Sequence, residues 1–361
     1  MSTLSRRALW QRLQNGGLVE GDLPTMGKTE SLWYVRVMLG AAGWIGSVFL
    51  LSFVGAAFSF VMQHAFASLL VGALLCGGAF ALFKSKRDSD FITQFGLAIG
   101  LVGQMLLIYG LYKLFERDDP LFYGVVFVVE ALLTVFMPNF IYRVMTSLAA
   151  AVALSFALNS AGVYGLATGV TAAGFAILWM QDISWGRFST IWRPVGYGLT
   201  LSLLLYQSGI LWGRGFWWPR SYNSANWISI YAPWLGKVLV LAVFLVVVFI
   251  LLKRLHVVTV SRSGMAVLAA ATLIMAASFQ APGMAQALLI LIIGFAVCNR
   301  VLIGFGLLAL AGFLSNYYYM MQSTLLVKSM LLLGLGAILL VGRLLMRKWL
   351  PTADTGGPVD A

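Results

Sequence analysis

Long apolar runs alternate with short polar gaps along almost the whole chain. A helix that crosses a hydrocarbon core of about 30 Å needs about 20 consecutive apolar residues. About twelve runs meet that criterion, near residues 38–61, 65–83, 95–113, 120–137, 142–159, 162–180, 195–213, 234–252, 263–279, 283–299, 301–318 and 324–343. Backbone groups in lipid must pair within their own segment, so these runs predict helices. The expected fold is all-α, a polytopic transmembrane helix bundle. Four divisions between runs are tight hairpins, at Gln63–His64, Pro138–Asn139, Ser160–Ala161 and Pro282–Gly283. Reading any one of them differently changes the count by one.

The gaps alternate in charge. Of the 24 basic residues, 18 fall in the N-terminal segment, the even-numbered gaps and the C-terminal segment. The odd-numbered gaps hold only Lys113, Arg117, Arg214 and Arg220, and Lys237 and Lys328 lie just inside runs. A miscounted span would scramble this pattern. Basic loops stay in the cytoplasm, so both termini are expected there. Interfacial aromatics agree: Trp33, Tyr34, Trp192 and Trp349 flank runs on the basic side, and Trp212, Trp217, Trp218, Trp234 and Tyr317–Tyr319 on the other.

The domain reading follows. Residues 1–36 form a cytoplasmic segment, 37–346 the membrane domain, and 347–361 a cytoplasmic tail without structure. Leu4, Ala8, Leu9 and Leu13 with Arg6, Arg7 and Arg12 have the spacing of a short amphipathic helix. The first stretch lacks a continuous apolar core, so no cleavable signal peptide is expected.

Composition sharpens the class. Hydrophobic residues make up 61% of the chain and charged ones only 10%, against roughly 25% charged in a soluble domain. The net charge of +12 sits in topology-setting loops, so it does not indicate a nucleic-acid partner. Cys76 and Cys298 give no disulfide framework, and His64 and His256 fall on opposite sides of the expected membrane. No metal cluster, serine–histidine–acid set or paired carboxylates emerge from the spacing. Gly27–Lys28–Thr29 lacks the earlier glycine of a phosphate-binding loop. No cofactor is expected.

Glu130 is the costliest residue, since a carboxylate mid-span costs on the order of 3 kcal/mol. Gln104 lies thirteen residues before the turn centre near Arg117 and Glu130 thirteen after it. The two are expected at similar depth in one hairpin. They form either a proton or cation site at the midplane or a neutral acid tied to an amide as interhelical glue. Lys237 and Lys328 either snorkel to the outer headgroups or pair with Glu130. Lys328 starts on the order of 9 Å above it by helical rise. Gln207 is expected to pack, and Asn159 to cap its helix or meet water.

The segment 214–233, with Trp217, Trp218, Tyr222 and Trp227, reads as an interfacial flap or a lid over a lipid or glycan cavity. Glu116, Asp118 and Asp119 read as a solvated turn. No proline falls in the middle of an expected span. Glycine repeats such as Gly96–Gly100–Gly103 suit close helix packing, with helix breaks as the alternative.

One resemblance adds to this. Leu9–Trp10–Gln11–Arg12–Leu13, Gly17–Leu18–Val19–Glu20–Gly21–Asp22–Leu23–Pro24, Trp33–Tyr34–Val35–Arg36, Gly43–Trp44–Ile45–Gly46 and Phe49–Leu50–Leu51 resemble a family of bacterial inner-membrane proteins known as domain of unknown function 4401. The likeness rests on the N-terminal third. It implies a multi-pass protein of the inner membrane working beside other membrane proteins, with no activity or functional residues to carry over. Three function classes remain: a transporter or lipid/glycan translocator, a structural or partner subunit of an envelope complex, and, least supported, a membrane enzyme. The expected partners are membrane lipids and another membrane protein.

Overall fold

The computed structural model describes residues 10–16, 38, 45, 61–85, 90–115, 120–163, 165–181, 189–208, 227–254, 261–278, 283–320, 326 and 329. Among them there is no strand. The long helices are α1 (Ala65–Ser85), α2 (Asp90–Leu114), α3 (Pro120–Phe136), α4 (Phe140–Ser160), α5 (Leu166–Met180), α6 (Ser189–Ser208), α7 (Trp227–Arg254), α8 (Arg262–Ser278), α9 (Met284–Ala296) and α10 (Arg300–Met320). Each falls on one of the apolar runs from the second to the eleventh. The first and last runs lie almost wholly outside the described residues, as do most of the N-terminal segment and the tail. Residues 10–15 are helical, with Trp10 and Leu13 half-buried on one side and Arg12 exposed, the spacing of an amphipathic turn.

Among the described residues five stretches are long and apolar enough to cross a membrane: Ala65–Ser85, Ile92–Leu114, Phe140–Ser160, Trp234–Arg254 and Arg300–Tyr319. Pro120–Phe136, Leu166–Met180 and Met284–Ala296 are apolar but shorter. The outer surface is also apolar. Phe66, Leu70 and Leu74, four residues apart on α1, are 77%, 62% and 66% exposed. Such stripes are costly in water and cost nothing in lipid. The protein is a membrane protein built from transmembrane helices.

Sequence chemistry explains four of the breaks. His64 interrupts the helix before α1, and the Ser68 hydroxyl donates to the Val61 carbonyl across the break. Pro138 cannot continue α3, and Asn139 starts α4 by accepting the Tyr142 amide at 3.0 Å. Gly162 and Gly165 take left-handed φ values of 83° and 80°. They hold α5 back to Leu166, four residues later than the run predicts. Cys298 has φ 53°, and Asn299 caps α10 by accepting from Val301 N at 3.0 Å. The run expected to continue to 299 therefore stops as a helix at Ala296.

Two other boundaries differ from expectation. Helix α7 begins at Trp227, so residues 227–233 belong to a helix and not to the expected flap. Helix α6 begins at Ser189, which places Pro194 inside it. Proline has no amide hydrogen, so the Thr190 carbonyl loses its helical donor. Arg143 Nη1 on α4 supplies the replacement at 2.7 Å, and its Nη2 reaches the Val135 carbonyl near the end of α3 at 3.3 Å. One side chain thus ties α3, α4 and α6 at one end of the bundle.

The helices pack mainly as hairpins: α1 with α2, α3 with α4, and α9 with α10. Helix α4 also lies along α6, and α5 along α6 and α7. Helices α1 and α2 cross at close range. A Cβ on Gly72 would sit 2.8 Å from the Gly103 carbonyl, and one on Gly103 2.8 Å from the Gly72 carbonyl. The α2 helix runs unbroken through Gly96, Gly100 and Gly103, so these glycines serve packing and not a helix break. The largest core cluster joins α5 to α10 through side chains such as Phe175, Trp179, Phe244, Ile290 and Leu302. A second cluster, with Ala79, Phe83, Leu97 and Tyr142, joins α1, α2 and α4.

Candidate functional site

Glu130 sits in the middle of α3 and is fully buried. Gln104 on α2 donates from Nε2 to Glu130 Oε2 at 2.9 Å. The hairpin symmetry about Arg117 positions the pair. Equal chain lengths on each side of the turn bring the two helices to the same depth. Glu130 Oε1 and Gln104 Oε1, both buried, have no hydrogen-bond partner among the described residues. Both are acceptors when the carboxyl is ionised, so the pair lacks one donor.

Polar groups continue from this pair along α3 and α4. Thr134 Oγ1 lies 2.8 Å from the Glu130 carbonyl and 2.8 Å from Thr146 Oγ1. The Thr146 hydroxyl lies 3.0 Å from the Tyr142 carbonyl. The Tyr142 hydroxyl donates to the Gly100 carbonyl at 3.1 Å, and Cys76 Sγ lies 3.8 Å from the same hydroxyl. All of these side chains are buried. The line joins α1 to α4 through polar contacts in a zone that is otherwise apolar. In water such bonds are worth about 1 kcal/mol each, but a buried orphan costs about 1–3 kcal/mol.

The Lys237 side chain is not among the hydrogen-bond partners of Glu130. Its Nζ lies 5.2 Å from the Trp234 ring centroid on α7, a cation–π contact, and it lines a separate cavity. Lys328, Trp217, Trp218 and Tyr222 lie outside the described residues, and so does the side chain of Trp227. Gln207 and Asn159 line the same cavity as Lys237. Among the described residues no group of three histidine, cysteine or acidic side chains could hold a metal ion.

A model of the domain of unknown function DUF4401 matches residues 32–349. The chain belongs to the DUF4401 family. The match runs through nearly all of the apolar region, well beyond the N-terminal third on which the resemblance was based. It leaves the motifs at 9–24 outside. No curated protein and no solved structure matches the chain. Membership in DUF4401 assigns no chemistry to Glu130 or to the Lys237 cavity.

Sequence reasoning did not single out Thr134, Tyr142, Thr146, Tyr206 or Gln286. Tyr142 and Thr146 are four residues apart, and Thr134 stands one helical turn beyond Glu130. That spacing was a readable sign of one polar stripe facing another. Gln286 had a plainer sign, being an amide within a run of alanine, leucine and isoleucine.

Proposed function

We propose that this protein is a polytopic transporter or lipid/glycan translocator of the bacterial inner membrane, with Glu130 as its proton-exchanging group. It has about twelve spans on the length criterion, and both termini lie in the cytoplasm. The observation that carries the reading is the unpartnered Oε1 of the fully buried Glu130, beside the unpartnered Oε1 of Gln104. A proton on the carboxyl turns one of these acceptors into a donor. Loss of that proton leaves two facing acceptors and favours a rearrangement of α2 against α3. Such a coupling between protonation and helix packing is what an ion-driven cycle needs.

Infrared spectroscopy of the purified protein tests this without a known substrate. A protonated-carboxyl band should vanish in Glu130→Gln, and in the wild type it should shift in heavy water and titrate reversibly. A band that never exchanges defeats the proton-carrier reading.

A second reading has its own support. The direct backbone contact of Gly72 with Gly103 and the amide–acid tie suit a rigid helical surface. On that reading the protein is a non-catalytic partner subunit. Native mass spectrometry in lipid-preserving conditions would then find a second protein in fixed ratio.

A further inference from the structure

Helices α4, α5, α6, α7 and α9 surround a cavity of about 240 Å³ at one end of the bundle. The C-terminal ends of α4 and α6 meet the N-terminal parts of α5, α7 and α9 there. This is the end whose loops are poor in Lys and Arg. Its polar lining includes Asn159, Tyr206, Gln207, Lys237 and Gln286, with no carboxylate. Val152 and Val240 form part of its apolar wall.

Two features give the cavity a chemical preference. Lys237 brings a positive charge to it, and its side chain is exposed rather than sealed in the core. The first turn of α5 lines it through Gly165, Ala167 and Thr168, and no side chain caps that helix start. The positive end of the α5 dipole therefore adds to the lysine. Gly236 on α7 permits this, because a Cβ there would run into the Gly165 carbonyl. Gln286, only 7% exposed, completes the polar wall. Tyr206 is already committed, donating to the Ala151 carbonyl at 2.6 Å, so it orients the wall.

We infer that this cavity binds a phosphate ester. Lys237 and the start of α5 take the phosphate. The amides of Gln207 and Asn159 donate to its oxygens. The apolar wall and the cavity's place at a helix-end level suit a glycerophospholipid headgroup, and a soluble sugar or glycerol phosphate shares the same chemistry. The site stands independently of Glu130. It rests on the translocator reading only for what happens to the ligand after binding.

Native mass spectrometry of the full chain in neutral detergent tests the site, with phosphatidylglycerol or phosphatidylcholine added. The wild type should retain one phosphatidylglycerol at about ten-fold lower concentration than phosphatidylcholine. Lys237→Met should erase that preference and Lys237→Arg should keep it. Glycerol 3-phosphate bound in the absence of lipid would identify a soluble ester as the source. Equal retention of both lipids by the wild type, with no binding of glycerol 3-phosphate, overturns the site. So does full preference in a Lys237→Met protein that melts like the wild type. Glu130→Gln should retain phosphatidylglycerol whatever the infrared result, so failure of one reading is separable from failure of the other.

Discussion

At the residue scale the Glu130–Gln104 pair sets a thermodynamic puzzle. Gln104 Nε2 is bonded to Glu130 Oε2, and among the described residues the other carboxyl oxygen and the single amide oxygen have no partner. Removing only one partner is expected to be worse than removing both. Gln104→Leu strands the Glu130 carboxyl and should cost about 1–3 kcal/mol. The double variant Gln104→Leu with Glu130→Leu should recover most of that loss, since an apolar pair of similar shape restores packing without orphans. Thermal melting of the four proteins in detergent gives the cycle. If the double variant melts no higher than Gln104→Leu, the stranded carboxyl is not the source of the cost.

At the element scale two contacts decide how helices meet. Gly72 and Gly103 bring α1 and α2 into backbone contact. Gly103→Val should force them apart and destabilise the protein by about 1–3 kcal/mol, the usual cost of overpacking a close interface. Gly78, whose Cβ would meet nothing within 4 Å, is the matched control on α1; Gly78→Ala should leave melting unchanged or slightly raised. Arg143 offers the second contact. It repairs the carbonyl that Pro194 exposes in α6 and also holds the end of α3. Arg143→Met keeps the length but loses both bonds, and should cost about 1 kcal/mol because the site is partly open to water. Restoring the amide hydrogen with Pro194→Ala in the Arg143→Met background should recover part of that loss, and no recovery would show that the Thr190 carbonyl was not the issue.

At the scale of the whole molecule, orientation can be tested with the native cysteines. Cys298 is exposed in the turn before Arg300, and Cys76 is buried. An impermeant maleimide should label Cys298 only when the cytoplasmic face is accessible, and Cys76 on neither side. Labelling of Cys298 from outside intact cells would reverse the assigned topology. The sequence by itself determined the helical class and the positions of most breaks, because each depends on local chemistry: apolar length, a proline, a left-handed glycine, an asparagine cap. It also placed Gln104 and Glu130 at one depth, since a hairpin conserves distance from its turn. It misplaced the starts of α6 and α7, where the helix extends back through Pro194 and through a short aromatic stretch, residues 227–233, which read in sequence as a turn and a flap. Only the tertiary structure decided which polar groups share a cavity. Lys237, Gln207, Asn159 and Gln286 come from four helices far apart in the chain. Their meeting depends on helix rotation and neighbour order, which are set by packing between helices and leave no period in the sequence.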